Sequence, residues 1–382
     1  MVLDFSYFYP GGYCTRFLAD YGAKVLKIQR PEDLSDIPTL WPWGDDASSE
    51  GRRERSGRFI QFNRNKHSLQ CNYTTPEGVA LLTKLIKKAD VLVEGFRPGV
   101  MKNLGLDYST VKNINPDLIY CSISGFGQNG NLSEHPAHDL NIQGMSGLFS
   151  LNSETHEPGI SGIPIADIIS GHQAAIAVLL ALLDRRNSNR GGQHLDISML
   201  DSLSWATGLS RSDAYWATGQ YIRAHRRHIY FFQTKDRQYI CIQPLEYKFW
   251  EKLCRGLDLD ECISQWREIQ PFSEDTEHRR RLVDRLQERF SRQTRDYWCS
   301  KFHDCCVTPI MSFEEAFDPQ NPNIANLVEW EQDPELGDIP VFGSPFKMRG
   351  SDTTDTQAPP LKGEHTEAIL RELLKADPPS SS

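Results

Sequence analysis

The sequence predicts an α/β fold: an open, mostly parallel, Rossmann-like sheet in a large domain, with a smaller α+β domain beside it in the chain. Two observations carry this. Short β-branched runs alternate with amphipathic helical stretches through the first third, the pattern of βαβ units and a parallel sheet. From about Ser202 to Thr308 the character changes: most of the tryptophans, a hairpin pattern and charged helices gather there. The expected boundaries are 1–201 for the large domain, completed by about 309–382, and 202–308 for the small one.

Taken in order, Val2–Phe5 is a short apolar run and Pro10-Gly11-Gly12 a turn. Tyr13–Tyr21 has helical spacing through Cys14, Phe17 and Leu18, and Lys24–Ile28 is a strand. Ser35–Gly57 is polar and charged and reads as an exposed loop. Thr74-Thr75-Pro76-Glu77 is a capping box with proline in the first turn; it opens a helix whose Val79, Leu82, Leu85 and Ile86 share a face. Lys87-Lys88 sits in its last turn, where cations suit the dipole. Val91–Val93 and Leu118–Ser122 are strands. Ile163–Leu183 is mostly apolar over 21 residues, close to a membrane-spanning length. It holds Pro164, Asp167, His172 and Gln173, so it reads as a buried core helix starting near Asp167. Asn187–Gly192 is a turn, His194–Leu200 starts a new element, and Tyr230–Ile242 is a hairpin around Lys235-Asp236. The last segment is irregular until a helix at Thr366–Leu374.

Composition narrows the function classes. With 382 residues and a net charge of -9, the chain lacks the basic surface of a general nucleic-acid binder. Its nine cysteines are scattered without a C-x-x-C pair, which suits free thiols and supplies no metal site. The N-terminal residues lack a signal-peptide pattern and the C-terminus is not Ser-Lys-Leu, so the default expectation is a cytoplasmic protein without a membrane anchor.

Asp167, immediately before the long apolar helix, has two compatible readings: a helix N-cap, or a carboxylate acting beside backbone N–H groups that hold a developing oxyanion. His138 follows a glycine-rich stretch, Ser124 to Gly130, that is not a G-x-G-x-x-G fingerprint; it is a natural proton carrier or a plain loop residue. Basic residues cluster at Arg52, Arg53, Arg55, Arg58, Arg64 and Lys66, a candidate phosphate site, and at Arg223, Arg226 and Arg227, a solvated loop. No Walker loop, Ser-His-Asp motif or H-E-x-x-H is present.

Several motifs together carry a resemblance. They are CTRFLADYGAKVLKIQR at Cys14–Arg30, NRNKHSL at Asn63–Leu69, ADVLVEGFRPGVMKNLGL at Ala89–Leu106 and LIYCSISGFGQNG at Leu118–Gly130. HDLN at His138–Asn141, Asp167 and GQHLDISMLD at Gly192–Asp201 follow, then LEYKFWEKL at Leu245–Leu253, CVTPIMSFE at Cys306–Glu314 and GEHTEAI at Gly363–Ile369. In these the chain resembles the family III CoA-transferase superfamily (CaiB/BaiF type) and, within it, the α-methylacyl-CoA racemase branch.

The resemblance implies an interlocked homodimer and an acyl-CoA thioester as substrate. Coenzyme A would then be part of the substrate, and no separate cofactor is expected. In transferases the aspartate at Asp167 is a nucleophile; in racemases it pairs with the histidine at His138, and the glutamate at Glu246 orients that histidine. Arg30, Asn63, Lys66, Arg97 and Lys102 are the implied contacts to CoA. The racemase asparagine four residues before the aspartate is Ile163 here, and Ile168-Ile169-Ser170-Gly171-His172 is more transferase-like. The transferases' glycine-rich loop has no evident counterpart. The expected activity is racemisation of 2-substituted acyl-CoA thioesters; the alternatives are CoA transfer to a carboxylic acid and a silent acyl-CoA-binding protein.

Overall fold

The computed structural model describes residues 1–31, 57–149, 162–188, 190–219, 230–270, 276–318, 320–322, 327–333, 337–346 and 356–376. The chain divides into two units: Met1–Leu148, Ile160–Gly208 and Asn326–Ser382 form the first, and Phe149–Gly159 with Leu209–Ala325 the second. The expected loop at 35–57 and the cluster at Arg223, Arg226 and Arg227 lie outside the described residues, apart from Gly57.

The first unit is built on a six-stranded sheet of β1 (Val2–Asp4), β2 (Val25–Gln29), β3 (Lys66–Gln70), β4 (Val91–Glu94), β5 (Ile119–Ser124) and β6 (His194–Ser198). Its order is β3-β2-β1-β4-β5-β6, with every neighbouring pair parallel. That is the doubly wound order, whose direction reverses between β1 and β4. Both faces are covered, so the strands read as apolar runs rather than alternating ones. Leu3, Leu26, Leu92 and Tyr120 face one core; Val2, Val25, Val91, Val93, Ile119 and Cys121 face the other.

Helices α1 (Tyr9–Asp20), α2 (Gly57–Asn63), α3 (Pro76–Ile86), α4 (Val100–Asn103), α5 (Tyr108–Ile114), α6 (Asp139–Met145), α7 (Ile165–Ser188) and α8 (Met199–Thr218) follow the strands. Pro10-Gly11-Gly12 is not a turn but the opening of α1. Its glycines serve close packing: a Cβ on Gly11 would lie 2.1 Å from Ser6 Cβ. The start of α3 is also one residue off the expected box. Thr75, not Thr74, is the cap, and its hydroxyl accepts from the Gly78 N–H.

Helix α7 is core on one face only. Ala166, Ser170, Gly171, Ala174, Ala175, Val178 and Ala181 are buried, while Ile176, Leu179, Leu180 and Leu183 are exposed. It is the single described helix long and apolar enough to cross a membrane. Its small-residue face packs on α1, where a Cβ on Gly171 would sit 2.6 Å from the Pro10 carbonyl oxygen and 2.7 Å from Tyr13 Cβ. We expect Gly171→Ala to push the two helices apart and destabilise the chain by about 1–3 kcal/mol, seen as a lower denaturation midpoint. A change under about 0.5 kcal/mol would mean that the contact relaxes freely.

The C-terminal part is more regular than its composition suggested. Val328–Asp333 and Gly337–Phe342 form an antiparallel hairpin, β10–β11, and α13 (Thr366–Ala376) docks Ile369 and Leu373 into the sheet's core. In the second unit β7 (Phe231–Gln233), β8 (Tyr239–Ile242) and β9 (Val307–Ile310) form an antiparallel sheet. With α9 (Tyr247–Gly256), α10 (Glu277–Phe290) and α11 (Arg295–Lys301) they enclose a separate core around Trp250, Phe232 and Phe290. The short helix Phe313–Ala316 is α12. All nine cysteines are free thiols.

Candidate active site

In an open parallel sheet, ligands bind beyond the carboxyl ends of the strands where the strand order reverses. A cavity of about 320 Å³ lies there in the first unit. Its wall comes from the segment after β1 (Ser6, Phe8, Pro10), the turn after β4 (Gly95, Phe96, Arg97) and the end of β5 (Ser124, Gly125). His138 and Asp167 both line this cavity, joined by Ser133 and His135. Chain order separates these residues widely; the topology gathers them.

Each residue of the HDLN motif has its own task. His138 occupies the N-cap position of α6; its backbone N–H donates to Asn141 Oδ1 at 3.0 Å, which fixes the turn and leaves the imidazole exposed. The ring stands 6.1 Å from that of Phe8, edge to face. Asp139 points the other way: its Oδ1 accepts the N–H groups of Ala166 at 2.8 Å and Asp167 at 3.3 Å. A carboxylate from α6 thus caps α7 and suits the positive end of its dipole.

That contact corrects two expectations. Asp167 is not the N-cap of the long helix but lies in its first turn, with Ile165 the first residue. The helix amides are also not open to an oxyanion, because Asp139 holds two of them and Ile168 N–H donates to the Pro164 carbonyl at 3.0 Å. Asp167 itself is half-buried. Burial pushes the nearby Tyr13 phenol up, with Tyr9 and the Asp167 carboxylate adding to the effect. Ser124 Oγ is buried in the cavity wall with no hydrogen-bond partner among the described residues.

The glycine-rich stretch after β5 is a turn rather than a phosphate cradle. Gly127 and Gly130 adopt positive φ, at 80° and 105°, and the Gln128 N–H is held by both Asp196 oxygens at 3.0 Å.

The implied CoA contacts fall into two groups. Arg97 lines the cavity and is exposed; Lys102 is exposed on α4; Arg30 lies over the Tyr73 ring at 5.6 Å. Asn63 and Lys66, by contrast, are only 4 % and 1 % exposed. Lys66 Nζ donates to Asp4 Oδ2 at 2.9 Å, Thr15 Oγ1 at 2.8 Å and Asn63 Oδ1 at 3.2 Å. These bonds give both residues a role in the foundation of β1 and α1. Arg64, also buried, pairs with Asp20, Glu329 and Glu331 and ties the β10–β11 hairpin to the sheet. Within the basic cluster Arg64 and Lys66 are thus engaged by buried carboxylates; the side chains of Arg52, Arg53, Arg55 and Arg58 lie outside the described residues.

Sequence reading missed Asp4 and Glu94. Burial would raise the Asp4 carboxyl, but Lys27, Lys66 and the Ser6 hydroxyl hold it well below the ordinary carboxylate range. Ser6 reaches the cavity wall because its N–H and O–H are both fixed by Asp4 Oδ1, at 2.9 and 2.6 Å. The available signal was an acid inside an apolar strand: Val2-Leu3-Asp4-Phe5 and Val91-Leu92-Val93-Glu94. Such acids are rarely left buried without a partner.

In the second unit Glu246 is exposed at the N-cap of α9, where its side chain makes no capping hydrogen bond. Among the described residues no group of three His, Cys, Asp or Glu side chains is gathered to hold a metal.

The model of CoA-transferase family III matches residues 1–366. The chain is 30 % identical to human succinyl-CoA:glutarate CoA-transferase over 387 residues, covering 98 % of this chain and 85 % of that one. It is 29 % identical to human alpha-methylacyl-CoA racemase over 385 residues, covering 97 % and 92 %. The crystal structure of a CAIB/BAIF family protein from Brucella suis superposes with a TM-score of 0.80 at 29 % identity, covering 97 % of both chains.

Proposed function

The chain belongs to CoA-transferase family III, and from that premise we propose that it is a racemase or epimerase of 2-substituted acyl-CoA thioesters. The observation that carries this reading is that His138 and Asp167 line one cavity. A CoA-transferase needs a nucleophilic carboxylate; a second proton carrier facing the same space is what α-proton exchange needs. The thioester acidifies the α-C–H bond. One of the pair takes that proton, the electron pair moves into the carbonyl as an enolate, and the other returns a proton to the opposite face. No acceptor acid takes part, and coenzyme A is carried through as part of the substrate.

Arg97, in the cavity wall, with Lys102 and Arg30 outside it, is proposed to hold the anionic CoA moiety. Glu246 is proposed to orient His138 across a homodimer. The exposed apolar residues Ile176, Leu179, Leu180 and Leu183 on α7 support such pairing, since a soluble monomer rarely leaves a large apolar stripe uncovered.

The test is incubation of a single-enantiomer 2-methylacyl-CoA in D2O without acceptor acid. The expected result is one deuterium at the α-carbon together with inversion, followed by mass spectrometry and chiral analysis. The second reading, CoA transfer with Asp167 as nucleophile, is favoured by the similarity to a succinyl-CoA:glutarate CoA-transferase and by Ile163 in place of the racemase asparagine. No exchange, with acceptor-dependent CoA movement and a hydroxylamine-sensitive Asp167 adduct, would establish that reading instead. Binding with neither outcome would leave an acyl-CoA-binding protein.

A further inference from the structure

Beneath the cavity wall lies a buried acid that the proposed chemistry does not use. Glu94 ends β4, is 3 % exposed, and accepts the Phe96 N–H on Oε2 at 2.8 Å. That bond spans the start of the turn at residues 95–98, every residue of which lines the cavity. From β5 the Ser122 hydroxyl also hydrogen-bonds Glu94, and Ser122 Oγ lies 3.0 Å from His194 Nε2 on β6. The His194 ring is stacked on Tyr108 at 5.0 Å. The wall of the site is therefore tied, through one carboxylate, to three adjacent strands.

We propose that Glu94 is a positioning residue for this cavity: its carboxylate clamps the turn at 95–98, and the turn is held firmly while Glu94 is ionised and loosens when it takes up a proton. The inference rests on the reading that the cavity receives an acyl-CoA thioester. A charged acceptor makes the stronger bond to an amide N–H. When Glu94 is ionised, Ser122 donates to it and its oxygen is free to accept from His194 Nε2–H. When Glu94 is protonated, it can donate to Ser122, which then donates to His194, and the Phe96 bond loses its charge assistance.

The groups around Glu94 set where this happens. Burial pushes its carboxyl up to about 7, the hydrogen bonds from Ser122 and Phe96 oppose that, and the Asp196 carboxylate on β6 adds to the rise. Burial lowers His194, with Asp196 opposing. Tyr120 and Cys121 on β5 are neutral neighbours whose own ionisation is pushed up by burial, with Glu94 adding. Arg97, the cation on the turn itself, is exposed.

The experiment measures binding of acetyl-CoA to the full chain by calorimetry across roughly pH 5.5 to 8.5, a window centred on the raised carboxyl. In the wild type, affinity should fall by about threefold to tenfold as pH drops through 7, the difference between a charge-assisted and a neutral hydrogen bond. Glu94→Gln keeps an acceptor for Phe96 but cannot titrate, and its affinity should lose that step. Ser122→Ala removes a donor to the carboxylate and should move the step to higher pH. A step that survives Glu94→Gln and disappears in His138→Asn or His135→Asn overturns the inference.

A second readout needs no ligand. A carboxyl with a raised folded value costs stability as pH climbs above its unfolded value, so Glu94→Gln should raise the melting temperature near pH 8.5 and not near pH 5. An equal effect at both pH values overturns the claim that Glu94 titrates beneath the wall. Failure of the wild type to bind acetyl-CoA at any pH counts against the acyl-CoA reading itself, whereas binding with an unchanged step in Glu94→Gln counts against the role of Glu94 alone.

Discussion

His138→Asn is expected to abolish racemisation while leaving α-hydrogen exchange from one enantiomer, and Asp167→Asn should do the same for the other. Each base serves one face of the α-carbon. Removing one stops inversion, because no group remains to deliver a proton to the far side. The surviving base still takes up the proton on its own face and returns solvent deuterium there with retention. The loss of inversion should be about 10²–10⁴-fold, the usual contribution of a positioned general acid or base. Asp167→Asn is isosteric and His138→Asn shortens an exposed side chain, so the fold around the cavity should be kept. Asp139 continues to cap α7 in either variant, because it binds backbone N–H groups and not the Asp167 side chain. The measurement is chiral analysis with deuterium content, run separately on each enantiomer. If His138→Asn retains full inversion, the histidine is not the second base. If Asp167→Asn abolishes exchange from both enantiomers while His138→Asn alters neither, the aspartate acts as the single base and the two-base assignment fails.

Strands β2, β4 and β5, helix α3 and the small domain's hairpin were legible because each rests on local signals. β-branched runs such as Val91-Leu92-Val93 and capped amphipathic stretches such as Pro76–Ile86 need no tertiary information. Pro10-Gly11-Gly12 misled because the same residues that favour a turn also permit close helix packing. Proline is at home in a helix's first turn, and a glycine beside Ser6 needs no left-handed backbone to be required there.

The motif residues His138 and Asp167 were legible through resemblance, and the structure shows them lining one cavity. What sequence could not convey was division of labour within a motif. In HDLN the asparagine fixes its own turn, the aspartate caps a helix 26 residues further on, and only the histidine faces the cavity. Likewise Arg64 and Arg97 are both arginines in matched motifs, yet one is engaged by three carboxylates and the other lines the cavity. Burial, a long-range property, separates them.

The largest effect on stability is expected from Asp4→Asn. Asp4 and Lys66 side chains are both 0 % exposed and pair at 2.9 Å, with Lys27 Nζ a further 3.7 Å from the other oxygen. Burial lowers the Lys66 ammonium, and the Asp4 carboxylate opposes that most strongly. Asparagine keeps the size but removes the charge, leaving the Lys66 and Lys27 ammonium groups without their shared counterion. Removing one partner of a buried pair costs about 3–5 kcal/mol. The sign with pH follows from the lowered Asp4 carboxyl. Its contribution is complete above the unfolded carboxyl value and is lost as pH falls through the lower folded one, so the wild type should lose this increment in acid. Asp4→Asn should lack that part of the acid dependence. Denaturant midpoints across a series from neutral to acid pH provide the measurement. A double variant, Asp4→Asn with Lys66→Met, should recover part of the loss because the fully buried one of the two ammonium groups is gone. A single-variant cost below about 1 kcal/mol would mean that the pair contributes little beyond solvation and that β1 and α1 hold without it. Since Ser6 is fixed by the same carboxylate, the cavity wall should loosen together with the fold, and affinity for acetyl-CoA should weaken in Asp4→Asn even under conditions where the variant remains folded.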